Sequence, residues 1–523
     1  MKKNLIPFLL IAAVEGLSFG PCILHRGFYC DDWMFLYNDF LSEGIWDAFR
    51  RMAQGGFWVR PVEILHYPLF YSLGLPHPVI AQAMLLALKI AEGCLFFRLL
   101  DRLLGWRELA LWATFLALAY PNRSATHLWF ANSPQGVSVV LVLISMLLHE
   151  SWTRNRKGLW LAGSAACYLS ALLSYESITF APLLLGAGLA VRAAYAGTPW
   201  KKALLSAAKD LLPYGACALA ALLWMWAGVS LLLRQPNPKP LFFSLKSILA
   251  VYVSGLACLT NRPLGVCIQN VPLAFRHFPP LGILLLAAGV LTVVYWSGAD
   301  ASADDARGAD GEAVRKRALR IAAAVGAATF VGAYAPYGLS RHLYLPAVGV
   351  IMDRLNGVGA WSAGIFLAAG LAALFRARFA AGRSVLFLIL VSFTWTNAFV
   401  CLQWAVAWET QRSILANVSG QVHALPAAST VILAGAPRLV GGAPVFTESW
   451  DFDEALKIVS GRRDLSGRVV GRRMRFEKDF VAERPGAAHW PRTEEWRYPY
   501  RNLYLYRHDK RVLKKLDGPP ASG

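Results

Sequence analysis

Met1-Lys-Lys-Asn-Leu-Ile-Pro-Phe-Leu-Leu-Ile-Ala-Ala-Val-Glu-Gly-Leu-Ser-Phe-Gly-Pro-Cys-Ile-Leu24 opens the chain. Two lysines precede an apolar core, the pattern of a secretory leader. No small-x-small cleavage site follows, and Glu15 and Pro21 interrupt the run. The segment reads as an uncleaved first membrane helix with a cytoplasmic N-terminus. The rest of the chain repeats the signal. Of 523 residues, 56% are hydrophobic, and the mean hydropathy is +0.43. Many apolar runs reach membrane-spanning length. The fold class expected is therefore an all-α polytopic membrane protein.

About eleven transmembrane helices are predicted, over residues 4–24, 78–100, 109–120, 137–149, 158–173, 178–194, 211–233, 280–296, 321–335, 347–375 and 384–404. The run 347–375 has a break around Asp353-Arg-Leu-Asn356. Basic residues cluster at Lys2–Lys3, Arg98–Arg107, Arg154–Lys157, Arg192–Lys209, Arg315–Arg320 and Arg376–Arg383. All six clusters fall on one side of this arrangement, which the positive-inside rule makes cytoplasmic. That accounts for much of the +20 net charge without a nucleic-acid partner. Parity places 245–262 as a re-entrant or interfacial helix on the outer side. Arg234–Pro240 reads as a rigid proline-rich loop and Ser297–Ala313 as a flexible linker. Lys89 and Glu92, at i, i+3 inside the second helix, read as an internal ion pair.

Two domains are expected: a transmembrane domain over 1–408, with a first outer loop at 25–75, and a small α/β extramembrane domain over 409–523. In the latter, Thr430–Ala434 has a strand pattern, Asp451–Val459 a helix pattern, and Leu503–Leu513 a hairpin pattern around His508–Lys510. The eight cysteines show no metal-ligand spacing. Cys22, Cys30, Cys258 and Cys267 lie toward the outer side, where one disulfide would be tolerated.

The outer side gathers the ionisable groups. Phe28-Tyr-Cys-Asp-Asp-Trp-Met-Phe-Leu-Tyr37 sets Asp31 and Asp32 among five aromatic rings. Trp58-Val-Arg-Pro-Val-Glu-Ile-Leu-His-Tyr67 adds Arg60, Glu63 and His66, expected to form short interfacial helices over 33–41 and 62–73. Glu176 and Arg341-His342 fall on the same side. Such groups at a membrane surface are costly unless paired or used. A carboxylate can take a proton from an acceptor hydroxyl, and a guanidinium fork matches phosphate oxygens. Together they suit sugar transfer from a polyprenyl phosphate. Asp31 and Asp32 are the candidate bases; their structural alternative is a helix cap. Arg60, Glu176, Arg341 and His342 are the candidate substrate- and phosphate-binding residues. Glu176 also suits a helix N-terminus, and Arg60 and Arg341 suit headgroup anchoring. Trp129, Tyr337 and Tyr344 read as interfacial belt residues.

Phe28-Tyr-Cys-Asp-Asp32 with Asn38 resembles the first-loop acidic motif of the GT-C superfamily of polyprenyl-phosphate-dependent glycosyltransferases. Arg60-Pro61, His66-Tyr-Pro-Leu-Phe70, Leu172-Leu-Ser-Tyr-Glu176 and Arg341-His-Leu-Tyr-Leu-Pro-Ala-Val-Gly349 are similar, in order, to segments of the transmembrane O-mannosyltransferases that carry tetratricopeptide repeats. The resemblance covers roughly residues 1–405 and implies a GT-C-like fold. It also implies a first-loop Asp as base, Arg341 near the lipid phosphate, and inversion at the sugar carbon. The implied partners are a polyprenyl-phosphate-linked sugar as donor, membrane lipid, and an acceptor hydroxyl on lipid, glycan or protein. The implied location is a bacterial inner membrane, with the C-terminal domain periplasmic. Tyr175 stands where the family has Lys, the loop 121–132 lacks the family's His and acid pattern, with His127 as the available substitute, and no repeats follow. No cofactor is assigned; a divalent metal, used by some relatives, would draw on Asp31, Asp32 and Glu176. The alternatives are a lipid or glycan transporter, and a non-catalytic partner in envelope-polysaccharide assembly.

Overall fold

The computed structural model describes residues 2–55, 57–74, 77–227, 243–278, 308–340, 344–349, 351–375, 379–472, 474–484 and 495–519. The expected proline-rich loop, the helix 280–296, the linker residues 297–307, Arg341 and His342 lie outside these.

Six helices among the described residues are long and apolar enough to cross a membrane: Pro78–Leu104, Phe130–Asn155, Glu176–Tyr195, Leu245–His277, Gly311–Gly338 and Gly382–Val422. The pair Trp200–Asp210 and Leu212–Ala227, bent by 41°, would make a seventh. Leu5–Phe19, Gly158–Ser174 and Gly359–Leu374 are shorter apolar helices. With Arg107–Ala119, these shorter helices lie where spans are expected, but by length only the six, or seven, are crossings among the described residues. The chain is a polytopic helical protein with a small strand-containing C-terminal region.

A glycine sets one close helix crossing. Gly364 faces the backbone of Arg107–Ala119, where an added Cβ would lie 2.4 Å from the Ala113 carbonyl oxygen and 2.6 Å from the Ala117 nitrogen. Helices in lipid gain little from apolar burial against one another, so such backbone approach is what binds them.

Three expectations are corrected. The single helix expected over 245–262 is two, Leu245–Leu259 and Asn261–His277, and the second runs fifteen residues past the expected end. The linker ends earlier than Ala313, because helix begins at Gly308, supported by the Glu312–Lys316 i, i+4 pair. The last membrane helix does not stop near Trp404. It runs as one 44-residue helix, Phe379–Val422, about 66 Å long at 1.5 Å per residue. Ile414, Leu415, Val418 and Val422 are buried and give its outward extension an apolar stripe. That stripe packs in one core with Val431, Leu433 and Phe452 of the C-terminal region and with Phe28, Tyr29 and Trp33 of the first loop. The helix therefore passes straight through the expected boundary at 408.

In the C-terminal region, β1 (Thr430–Ala434) lies between β2 (Ser466–Val469) and β3 (Leu503–Arg507), parallel to both, with β4 (Val512–Lys515) antiparallel at the edge beside β3. Its Val431-Ile-Leu433 centre is buried, as expected of a strand covered on both faces. The helix Ser449–Ser460 starts on a Glu448/Asp451 capping box and ends at Gly461 with φ 68°.

Candidate functional site

Residues 25–75 fold onto one face of the membrane helices. The predicted interfacial helices are Asp32–Phe40 and Pro61–Gly74. A third, Ile45–Gln54, lies between them, amphipathic and pinned by Asp47 pairing with Arg50 and Arg51.

Adjacent aspartates at a helix start point in different directions, and here they divide. Asp32 is fully buried. Its carboxylate accepts from the Tyr29 amide at 2.7 Å, the Tyr71 hydroxyl at 2.6 Å and the Ala131 amide at 2.5 Å. Burial pushes its pKa up to about 7, against the pull of those three donors, and the neighbouring Asp31 charge adds to the rise. Asp31 is half-buried and makes no capping bond. Its carboxylate accepts instead from the indole of Trp450 at 3.2 Å, so the C-terminal helix Ser449–Ser460 touches the acidic motif. Lys457 and Arg463 lie over the rings of Tyr37 and Phe40, and the Trp33 indole donates to Gln411 at 2.9 Å.

Arg60 and Glu176, 116 positions apart, meet in a two-point pair. Nε donates to Oε2 at 2.6 Å and Nη2 to Oε1 at 2.7 Å. Nη1 donates to Glu63 at 2.8 Å, and the guanidinium lies 4.1 Å over the Tyr175 ring. One guanidinium faces two carboxylates, which leaves the group with one net negative charge. Tyr175, at the position where the family has Lys, is the stacking surface for a cation from the first loop. His66 contacts Ser133 at 2.7 Å, and burial pushes its pKa down to about 3. Tyr67 lies within electrostatic reach of Glu63, Arg60, Tyr175 and Asp31, so the Arg60 group and the aspartates share one face.

A cation not singled out from the sequence completes this face. Arg354 sits on the 3-10 segment Ile351–Asn356, at the break noted in the predicted run 347–375. Its guanidinium lies 4.9 Å over the Trp129 ring, with no carboxylate partner at ion-pair distance among the described residues. Tyr344 is within electrostatic reach of Arg354, Tyr175, Glu176 and Arg60, and Tyr337 of Tyr175, Arg354 and Glu176. Among the described residues, Arg354 Nε and Trp129 Nε1 are buried donors without a hydrogen-bond partner. Unmet donors beside a free guanidinium suit a ligand rich in acceptor oxygens. Trp129, Tyr337 and Tyr344, read as belt residues, border this cation.

A second ionic group is buried among the helices. Lys89 bonds Glu92 at 2.8 Å, as the spacing predicts, and Arg123 bonds the other Glu92 oxygen at 2.8 Å. His127 stacks on Phe19 at 3.7 Å and approaches Glu15 at 3.5 Å. It is buried inside this group rather than beside Arg354.

Among the described residues no three His, Cys, Asp or Glu side chains are placed to hold a metal ion. Both Asp32 oxygens are engaged, and Glu176 is taken by Arg60, so these residues do not fit a divalent cation. All eight cysteines are free thiols.

No protein-family model matches the sequence, and no curated protein does. Among solved structures, the chain is similar to the crystal structure of ArnT from Cupriavidus metallidurans bound to undecaprenyl phosphate, with a TM-score of 0.44 and 13% identity over 90% of this chain and 86% of that one.

Proposed function

We propose that this chain is an integral-membrane glycosyltransferase that moves a sugar from a polyprenyl-phosphate donor to an acceptor hydroxyl. The reaction takes place on the face that carries the first loop, read as the periplasmic side of a bacterial inner membrane. The observation that carries the reading is the convergence of Asp31, the Arg60–Glu176 pair and Arg354, which has no ion-pair partner among the described residues, on that face, from segments three hundred residues apart. It agrees with the ordered motif resemblance in the sequence.

The roles follow from the chemistry. Asp31 accepts the proton of the acceptor hydroxyl as its oxygen attacks the anomeric carbon. The bond from that carbon to the phosphate oxygen breaks, and the phosphate leaves with the electron pair. A phosphate is a good leaving group and needs cations rather than an acid. Arg354 supplies a guanidinium with unspent donors; Arg341 and His342, assigned to the phosphate from the sequence, extend the set. Attack opposite the departing phosphate inverts the sugar carbon. Asp32 fixes the loop, and Arg60 with Glu176 joins it to the membrane helices.

Purified protein incubated with a panel of polyprenyl-phosphate sugars should release free polyprenyl phosphate, and Asp31→Asn should stop release while the protein remains folded. Full release by that variant removes the mechanism. A transporter reading would draw on the buried Glu15, Lys89, Glu92 and Arg123; vesicles that move the lipid-linked sugar without cleaving it would favour it.

A further inference from the structure

The segment that presents Arg354 is tied down at nearly every polar group except that side chain. The Asp353 carboxylate accepts from Ser124 N at 2.9 Å, Ser124 Oγ at 2.5 Å and Ala125 N at 2.9 Å. The Arg354 carbonyl accepts from Gln135 at 3.2 Å. Asn356 donates to the carbonyls of Asn122 at 2.8 Å and Ala347 at 2.7 Å and accepts from the Tyr334 hydroxyl at 2.9 Å. The following Gly357 carbonyl accepts from Arg123 at 3.3 Å. A short 3-10 segment has little stability of its own, so these bonds set its position.

Arg123 leads into the membrane domain. The nitrogen that reaches Gly357 also bonds Glu92 Oε1 at 2.8 Å. Trp361 Nε1 donates to the same oxygen at 3.0 Å, and Lys89 takes the other at 2.8 Å. Glu92 lies fourteen residues into the helix that starts at Pro78, about 21 Å along it. A carboxylate at that depth is expensive unless it is used. Here it orients Arg123, and Arg123 holds the end of the segment that carries Arg354.

We propose that Glu92, acting through Arg123 and Gly357, is the positioning residue for the Arg354 guanidinium. This rests on Arg354 contacting the donor phosphate. Removing the Glu92 charge leaves Arg123 buried without its carboxylate, which loosens its hold on Gly357 and shifts the end of the segment, and with it the Arg354 guanidinium, away from the phosphate position. The effect falls on lipid-phosphate affinity, and it requires Arg354 to be present.

The test is a double-mutant cycle read as binding of polyprenyl monophosphate to the full-length protein in lipid nanodiscs. Arg354→Gln should weaken binding about tenfold, the worth of one charge-assisted phosphate contact, and Glu92→Gln about fivefold. The double variant should bind within about twofold of Arg354→Gln alone, because the two changes act on one contact. A purely structural role for Glu92 gives multiplied losses instead, and that result overturns the proposal. So does wild-type affinity in Glu92→Gln. Should Glu92→Gln not fold, Trp361→Phe removes a single donor to Glu92. It should weaken binding about twofold in the wild-type background and not at all with Arg354→Gln; equal losses in both backgrounds overturn the proposal. Unchanged binding by Arg354→Gln alone is a different failure: it removes the phosphate assignment itself.

Discussion

Replacing Glu176 by Gln tests the clamp that joins the first loop to the membrane helices. The wild-type pair has two charge-assisted bonds, at 2.6 and 2.7 Å, and side chains 15% and 29% exposed for Arg60 and Glu176. A hydrogen bond to a charged group contributes about 1.5–3 kcal/mol. Gln keeps one acceptor oxygen but turns an amide toward the second guanidinium nitrogen. Glu63 and the Tyr175 ring stay in place and retain Arg60, and partial exposure screens what is lost. The net cost to loop docking is then about 2 kcal/mol, which corresponds to roughly thirtyfold in an opening equilibrium. Amide exchange of Pro61–Gly74 reads that equilibrium directly. It should quicken by about that factor, while the buried core strand Thr430–Ala434 keeps its protection. Arg60→Lys should do the same, since an ammonium cannot offer the fork, and the double variant should be little worse than either single one. Exchange within about threefold of wild type in Glu176→Gln would refute the reasoning, because Glu63 and Tyr175 would then suffice to hold Arg60.

Asp31→Asn should leave thermal stability within about 0.5 kcal/mol of wild type while abolishing sugar transfer; Asp32→Asn presents an amide to one of three donors and should cost about 1–3 kcal/mol of stability, seen as a lower unfolding temperature in detergent. Gly364→Ala drives a methyl into the Ala113 and Ala117 backbone and should cost about 1–3 kcal/mol, read as lost monodisperse protein on size exclusion. Glu454, at the contact between the C-terminal helix and the first loop, is pushed up to about 8 from 4.5 by burial, with Asp453, Asp451 and Asp31 adding to the rise and Lys457 opposing it. Its folded form holds a proton that the unfolded form releases. The stability it contributes is therefore complete below about pH 4.5 and is lost as pH rises toward 8. Protection of Ser449–Ser460 from amide exchange, corrected for intrinsic rate, should fall across that window, and Glu454→Gln should flatten the dependence.

The membrane helices were legible because a span is a statement about length and apolar content. The helix Phe379–Val422 shows where that rule stops. Beyond Trp404 polar and apolar residues alternate in the sequence, and Ile414, Leu415, Val418 and Val422 keep one buried apolar face, whose partners lie in the C-terminal region and the first loop. The Lys89–Glu92 pair could be read from i, i+3 spacing; Arg123, the third member, comes from a loop that no local periodicity connects to it. Arg60 and Glu176 both stand out in the sequence, but as separate candidates for substrate and phosphate binding. That they satisfy each other is a fact of tertiary structure. Arg354 carried one sequence signal, a charged interruption in an apolar run, which local reasoning treats as a helix break.

The division of labour between Asp31 and Asp32 follows from where they stand. At the first turn of a helix, neighbouring side chains diverge by about 100°. One of two adjacent acids must then face inward when the helix packs against a wall. Asp32 takes that position, and three donors meet it. Asp31 is left facing the C-terminal domain and the open side, with a single indole as partner. A carboxylate buried under three donors is held in place and shielded from a substrate; one with a single weak partner can exchange it for a hydroxyl. Under the proposed function, Asp31 is therefore the residue assigned the chemistry and Asp32 its support. Through Trp450 the C-terminal region touches Asp31, and it shares one apolar core with the first loop, so the proposed site would be bordered from both sides of residue 408.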